Sequence, residues 1–272
     1  MPQCPRPVRL GWVRQQTCRL VHGQKLFRFT QDLELYLILC LHAASFKLSM
    51  IRLNSVTRIY SRAGIRALDD VSFEIPSGEF AAVTGPSGCG KSTLLNLLGG
   101  LDTPDAGEIW VDDIPLHSAK DSELTRYRRH DLGIVFQFFN LLPAMTVAEN
   151  VELPLLLRGE RRRRLRVAAA LELVELTARK NHYPHQLSGG EMQRAAIARA
   201  VAGQPKVLLA DEPTGNLDSN SAERVTDSLL KIASQKFATV VIVTHSEELA
   251  RLAALHISML DGKTTTQNPG SG

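Results

Sequence analysis

"FAAVTGPSGCGKSTLLNLL", Phe80 to Leu98, decides the fold. A short apolar run ending at Gly85 reads as a buried parallel strand. The leucines from Leu94 onward recur at helical spacing. Between them "GPSGCGKS", Gly85 to Ser92, matches G-x-x-x-x-G-K-[ST] in the setting that pattern needs, strand before and helix after. Glycines let backbone N–H groups curl round a phosphate chain. Lys91 is placed to reach the β and γ phosphates, Ser92 to offer a hydroxyl to Mg²⁺, and Thr93 to add a donor. Cys89 needs only to be small and reads as structural, with an exposed, oxidisable loop thiol as the alternative.

Outward from that loop, "IRLNSVTRIY" and "LDDVSFEIP" alternate apolar and polar residues and read as strands of a half-exposed antiparallel sheet. "LGIVFQ", "KVLLADEP" and "ATVVIVTHS" read as buried strands, and "ERVTDSLLKIASQ" as a helix. From about residue 140 to 202 the pattern is helical. The spacing predicts a βα core split by this helical insert, with an antiparallel patch at its front. Residues 50–262 form that domain. Residues 1–49 are expected to be an irregular extension outside the native fold, and 263–272 a flexible tail.

Composition narrows the function. Arg6, Arg9, Arg14, Arg19, Lys25, Arg28 and Lys47 stand against only Asp32 and Glu34 before Met50, so the net +4 of the chain becomes a slight acidic excess from Met50 on. A general nucleic-acid footprint is not supported. Three of four cysteines also precede Met50, leaving Cys89 alone in the main body, which fits a reducing compartment. The longest apolar run, "LYLILCLHAA", is about half the ~20 residues a membrane span needs.

Parallel strands bind ligands beyond their carboxyl ends, and Gly85, Gln137, Asp211 and His245 all fall at such ends. Asp211 suits the shell of Mg²⁺, and Glu212 beside it can polarise a water for attack on a γ-phosphate. The amide of Gln137 can touch Mg²⁺ or that water, or be a surface group. His245 can hydrogen-bond the γ-phosphate or be structural. Asp218 in "GNLD" braces a neighbouring loop or caps the following helix. Tyr60 stacks on a base or packs. "RGERRRRLR", Arg158 to Arg166, reads as a solvated face, with contact to anionic lipid or a partner as the alternative.

"LSGGE", Leu187 to Glu191, completes the set. Ser188-x-x-Glu191 is a capping box, so a helix starts here, and Gly189 and Gly190 allow close backbone approach at its positive end. The chain already holds one set of triphosphate groups, and this turn lies in the helical insert. It therefore serves a nucleotide bound by a second copy, head to tail with twofold symmetry.

Taken together, Gly85–Ser92, Gln137, "LSGGE", "LLADEP", "GNLD" and His245, in this order and spacing, resemble an ABC-type ATPase, the nucleotide-binding subunit of ABC transporters. The resemblance spans about Met50 to Gly262. It implies an α/β fold: a P-loop NTPase (RecA-like) core with an antiparallel β subdomain and a helical ABC-specific insert. It implies ATP and Mg²⁺ as ligands, with Gly85, Pro86, Ser87, Gly88, Cys89, Gly90, Lys91, Ser92 and Thr93 in the Walker A loop. Asp211 is then the Walker B aspartate and Glu212 the catalytic base. Gln137, Ser188–Glu191, Asp218 and His245 fill the Q-loop, signature, D-loop and H-loop, and Tyr60 matches the adenine-stacking aromatic. "VFQFFNLLPAMTVAENVELPLLLRG" and "ADEPTGNLDS" are similar to the lipoprotein-releasing and macrolide-export group. Met192 departs from the family's frequent glutamine, and the stretch before Met50 has no counterpart there. The partners implied are a second ATPase subunit and a separate integral membrane permease, at the cytoplasmic face of the inner (plasma) membrane. A protein acting on DNA or ribosomes would bring coiled coils, zinc modules or a second cassette, none of which the sequence shows. A non-hydrolysing ATP clamp does not need Glu212 and His245.

Overall fold

A computed structural model describes residues 49–60 and 64–267, so the readings of residues 1–48 and 268–272 lie outside the described residues. Two sheets organise the described residues. One is antiparallel: β1 (Ser49–Tyr60), β2 (Ile65–Pro76), β4 (Ala106–Val111) and β5 (Ile114–Pro115), in the order β2-β1-β4-β5. The other contains β3 (Phe80–Thr84), β6 (Leu132–Val135), β7 (Val207–Asp211), β8 (Thr239–Val243), β9 (Leu255–Leu260) and β10 (Lys263–Gln267), ordered β10-β9-β3-β8-β7-β6. Its strands pair in parallel except β10, which runs antiparallel to β9.

Continuous apolar strands work here because both faces of this sheet are covered. Successive side chains of a strand point to opposite faces. Ala81 and Val83 accordingly join the core shared with β1, β2 and the first helix of the described residues, α1 (Lys91–Leu98). Phe80 and Ala82 join a second core with the helices on the other side. Each fully buried leucine or valine contributes about 1.5–3 kcal/mol, so the sheet is a stable platform for the loops at its carboxyl end.

The remaining helices are α2 (Asp121–His130), α3 (Val147–Leu157), α4 (Arg163–Leu173), α5 (Gly189–Val201), α6 (Ser219–Ser234) and α7 (Glu247–Arg251). Between Val135 and Val207 every regular element is helical. Capping boxes open α3 and α5. Thr146 accepts from the Glu149 N–H at the start of α3, and Ser188 from the Glu191 N–H at the start of α5.

Three expectations need correction. Residues 263–267 are not tail but β10, paired with β9 from Lys263↔Leu260 to Gln267↔His256. Gln137 does not end its strand: β6 stops at Val135, and the chain turns as the Phe139 N–H donates to the Phe136 carbonyl at 3.3 Å. The arginine run is less a solvated face than a set of fasteners at the corner between α3 and α4. Arg158 donates to the carbonyls of Arg129 and Gly203, Arg163 pairs with Glu152 at 2.8 Å, and Arg166 pairs with Glu160 at 3.2 Å. Arg161, Arg162 and Arg164 remain exposed.

Candidate functional site

The loop after β3 is built around its lysine. Lys91 is only 7% exposed. Its Nζ donates to the carbonyls of Gly85 and Pro86, both at 2.8 Å. Gly85 has φ +152°, and a Cβ there would lie 2.2 Å from the Met259 carbonyl and 2.8 Å from Cys89 Sγ. No side chain fits. That packing also buries Cys89, at 5% exposure: the sulfur is a filler under the loop, the structural reading and not the exposed-thiol alternative. Pro86, Ser87 and Gly88 are exposed, as is Ser92, with Thr93 half-buried in the first turn of α1.

The start of α1 lacks the usual satisfaction. Its N-cap is Gly90, no side chain caps it, and no acid sits in its first turn. The leading N–H groups and the positive end of the dipole are left to an anion.

Across the sheet, Asp211 closes β7 and Glu212 follows in a left-handed conformation, φ 44°. Its N–H is tied to the Val243 carbonyl of β8 at 2.9 Å. This turn aims two adjacent carboxylates differently. Burial raises the pKa of Asp211, and Lys91 partly offsets the shift. Glu212 meets His245: the His245 N–H donates to Oε2 at 3.2 Å. His245 Nε2 lies 3.2 Å from Oε1 but off the line of a hydrogen bond, and Oε1 is buried with no hydrogen-bond partner among the described residues. His245 also shares a cavity of about 520 Å³ with Thr84, Gly85, Pro86, Thr244 and His256.

These groups fit a magnesium nucleotide. An uncapped helix start and a buried ammonium suit phosphate. A desolvated carboxylate beside a hydroxyl-bearing helix turn suits a hard cation. The carboxylate oxygen left without a donor suits a water.

Other predicted residues lie apart. Ser188 is exposed at the start of α5, where Glu191 back-bonds to the Ser188 N–H at 2.9 Å and pairs with Arg179 at 2.9 Å. These bonds, the Ser188 backbone N–H first, hold the Glu191 carboxyl below the usual range. Ser188, Gly190 and Glu191 line a second cavity, about 270 Å³, with Arg194, Asn220, Ser221 and Arg224. At Gly190 the close approach is made by a neighbouring helix. A Cβ there would lie 2.6 Å from Ser221, because α6 packs on that point. Asp218 caps α6, accepting from the Ser221 N–H at 3.0 Å, so it belongs with the signature turn and not with Lys91. Tyr60 is 38% exposed; its hydroxyl donates to Asp102 at 3.2 Å, and the Arg58 guanidinium lies 5.1 Å from its ring centroid. Gln137 is half-buried beyond β6.

Sequence reasoning missed His256, hydrogen-bonded to Thr84 Oγ1 at 3.0 Å, because β9 was not read as a strand. It missed Arg179, whose partnership with Glu191 has no local signal. It also missed Arg199, which donates to the carbonyls of Phe139 and Asn140.

The profile of the family described as "ABC transporter" matches residues 68–215. The chain belongs to the ABC transporter family. It is 47% identical over 223 residues to an uncharacterized ABC transporter ATP-binding protein, MJ0796, of Methanocaldococcus jannaschii, covering 79% of this chain and 94% of that protein. It is 46% identical over 199 residues to the lipoprotein-releasing system ATP-binding protein LolD 1 of Chlorobium chlorochromatii, covering 72% and 81%. Among solved structures it matches a dimeric post-hydrolysis state of the MJ0796 cassette bound to ADP and Pi, with TM-score 0.73 and 43% identity over 80% of this chain and 98% of that one. As a member of this family the chain is an ATP-binding, ATP-hydrolysing transporter subunit. Among the described residues no helix is long and apolar enough to cross a membrane.

Proposed function

We propose that this ABC cassette is a Mg²⁺-dependent ATPase that works as a head-to-tail dimer and drives a separate membrane permease from the cytoplasmic face of the inner membrane. One observation carries the reading. Lys91, Asp211, Glu212 and His245 converge around one loop, whereas Ser188 stands exposed on a different arm. A site needing both is completed by a second copy.

In this reading Lys91 and the N–H groups opening α1 hold the phosphates, and Tyr60 stacks on the base. Ser92, Asp211 and Gln137 hold Mg²⁺, which neutralises charge on the phosphate oxygens. Glu212, whose Oε1 accepts no hydrogen bond among the described residues, accepts the proton of the attacking water, and His245 orients it and contacts the γ-phosphate. The Ser188 hydroxyl and the N–H groups of Gly189 and Gly190 in a second copy donate to the same phosphate, while Asp218 braces that turn.

The docking face is the groove beside Gln137, about 460 Å³, lined by Phe136, Leu153 and Leu157 with Arg128 and Arg158. Phe138 and Leu142 are exposed next to it, Phe138 at 72%. Lipoprotein release is the favoured transport reaction, supported by the identity with LolD 1. Affinity purification of the chain from detergent-solubilised membranes tests this function. A co-purifying polytopic membrane protein is the expected result; nucleic acid, or no partner, would contradict it.

A further inference from the structure

The segment that carries Gln137 is anchored unevenly. On one side β6 ends at Val135 within the core sheet. On the other, Phe139 and Asn140 are both left-handed, φ 56° and 51°, a conformation that non-glycine residues adopt singly and seldom in succession. Both carbonyls point to one guanidinium, that of Arg199 in the last turn of α5, with Nη2 at 2.9 Å from the Phe139 oxygen and Nη1 bonded to that of Asn140. No acid pairs with Arg199 among the described residues, and burial lowers its pKa. The two carbonyls are therefore its compensation.

The next residues are fastened the same way. The Asn150 side chain, fully buried in α3, accepts from the Leu142 N–H at 2.7 Å and donates to the carbonyls of Leu142, Met145 and Thr146. Residues 139–146 thus belong to the helical insert and those up to Val135 to the sheet, leaving Gln137 at the junction. The same end of α5 rests on β6: a Cβ on Gly133 would lie 2.6 Å from the Ala200 carbonyl. A tilt of α5 about that seat turns Arg199 and carries the two carbonyls with it. The other end of α5 begins with the Ser188–Glu191 turn.

We propose that Arg199 is a positioning residue, which links the signature helix to the loop after Gln137 and so sets where the Gln137 amide stands at the nucleotide site. This rests on the reading that Gln137 acts on the metal or the attacking water. A merely structural arginine would change stability alone. A positioning one acts through Gln137 and loses its effect once that amide is gone.

The test is a kinetic cycle on the full chain: Arg199→Met, Arg199→Lys, Gln137→Ala and the two doubles, with kcat, ATP binding and melting temperature measured for each. Arg199→Met is expected to lower kcat about tenfold or more, since small displacements at a reacting centre can cost up to ~10²-fold. ATP affinity measured without Mg²⁺ should stay within about twofold, because Lys91 and the N–H groups opening α1 are untouched. Lysine can recover one carbonyl and part of the rate. In the Gln137→Ala background either Arg199 substitution should change kcat by less than about twofold. If Arg199→Met does not fold, Arg199→Lys completes the same cycle. Full additivity, or a loss of binding with kcat unchanged, overturns the link while leaving the role of Gln137 standing. A Gln137→Ala variant with normal kcat would remove that role and the proposal together.

Discussion

Two helices of this cassette begin at glycine-bearing turns, and they are solved in opposite ways. The start of α1 has a glycine cap, no acidic residue and a lysine folded over its loop. The start of α5 has a serine cap, a glutamate that bonds back, and an arginine holding that glutamate. The first turn is incomplete without a polyanion. The second is nearly self-sufficient, so its remaining capacity is the exposed Ser188 hydroxyl and the dipole behind it. A complete phosphate cradle and a finished helix cap are different objects. The first is shaped for a polyanion; in the proposed reading the second adds to a site built elsewhere.

The sharpest division concerns chemistry against binding. Glu212→Gln should cut hydrolysis by about 10²–10⁴, the usual range for a lost general base, while ATP binding holds or tightens. Steady-state rates and nucleotide titration measure both; a near-normal rate would assign the base elsewhere. Next in size is Lys91→Ala, expected to weaken ATP binding about 10²-fold, as for a buried charged donor at its partner. Ser188→Arg should leave affinity within about threefold, since it touches no contact to its own nucleotide. Equal losses would erase the distinction between the turns.

The glycines of the second turn can be separated by stability. Gly190→Ala drives a methyl into Ser221 and should cost about 1–3 kcal/mol. Gly189→Ala meets only Leu217, at 3.4 Å, and should cost less than about 0.5 kcal/mol. Urea titration distinguishes them. The smallest effects are electrostatic and opposite in sign. Asp211 has a raised pKa from burial, so its ionised form costs the nucleotide-free protein stability above that pKa and the cost fades on acidification. Glu191 has a lowered pKa, so its contribution is full above the ordinary glutamate value and is lost as pH falls through the lower folded one. At neutral pH without nucleotide, Asp211→Asn should raise the melting temperature by about 2 °C and Glu191→Gln should lower it by about as much. Both differences should shrink toward pH 4 in thermal scans. A melting temperature lowered by Asp211→Asn would refute the desolvation account.

Legibility in the sequence follows the same contrast. β3, α1 and the Ser188–Glu191 capping box are local patterns, and each forms where the spacing put it. Helix α2 escaped because it buries only Leu124 and Tyr127, too few to show a period. β10 was mistaken for tail because its threonines carry no apolar alternation; its backbone pairing with β9 makes it a strand. A signal was present in Asp261–Gly262, which take φ 49° and 78°, as a two-residue hairpin turn requires. What approaches Gly190 was not legible, because Ser221 comes from a different helix. Arg199 was invisible for the same reason: what it holds lies sixty residues earlier in the chain.

The central claim is that the signature turn serves a nucleotide bound by another copy. The most direct measurement mixes two inactive chains, one carrying Lys91→Ala and the other Ser188→Arg, and follows ATP hydrolysis. A mixed dimer contains one site with both an intact Lys91 loop and an intact partner Ser188. The account predicts a rate in the mixture that neither variant shows alone, rising with their combined concentration. No recovery, with each variant folded and the Ser188→Arg chain still binding ATP, would contradict it.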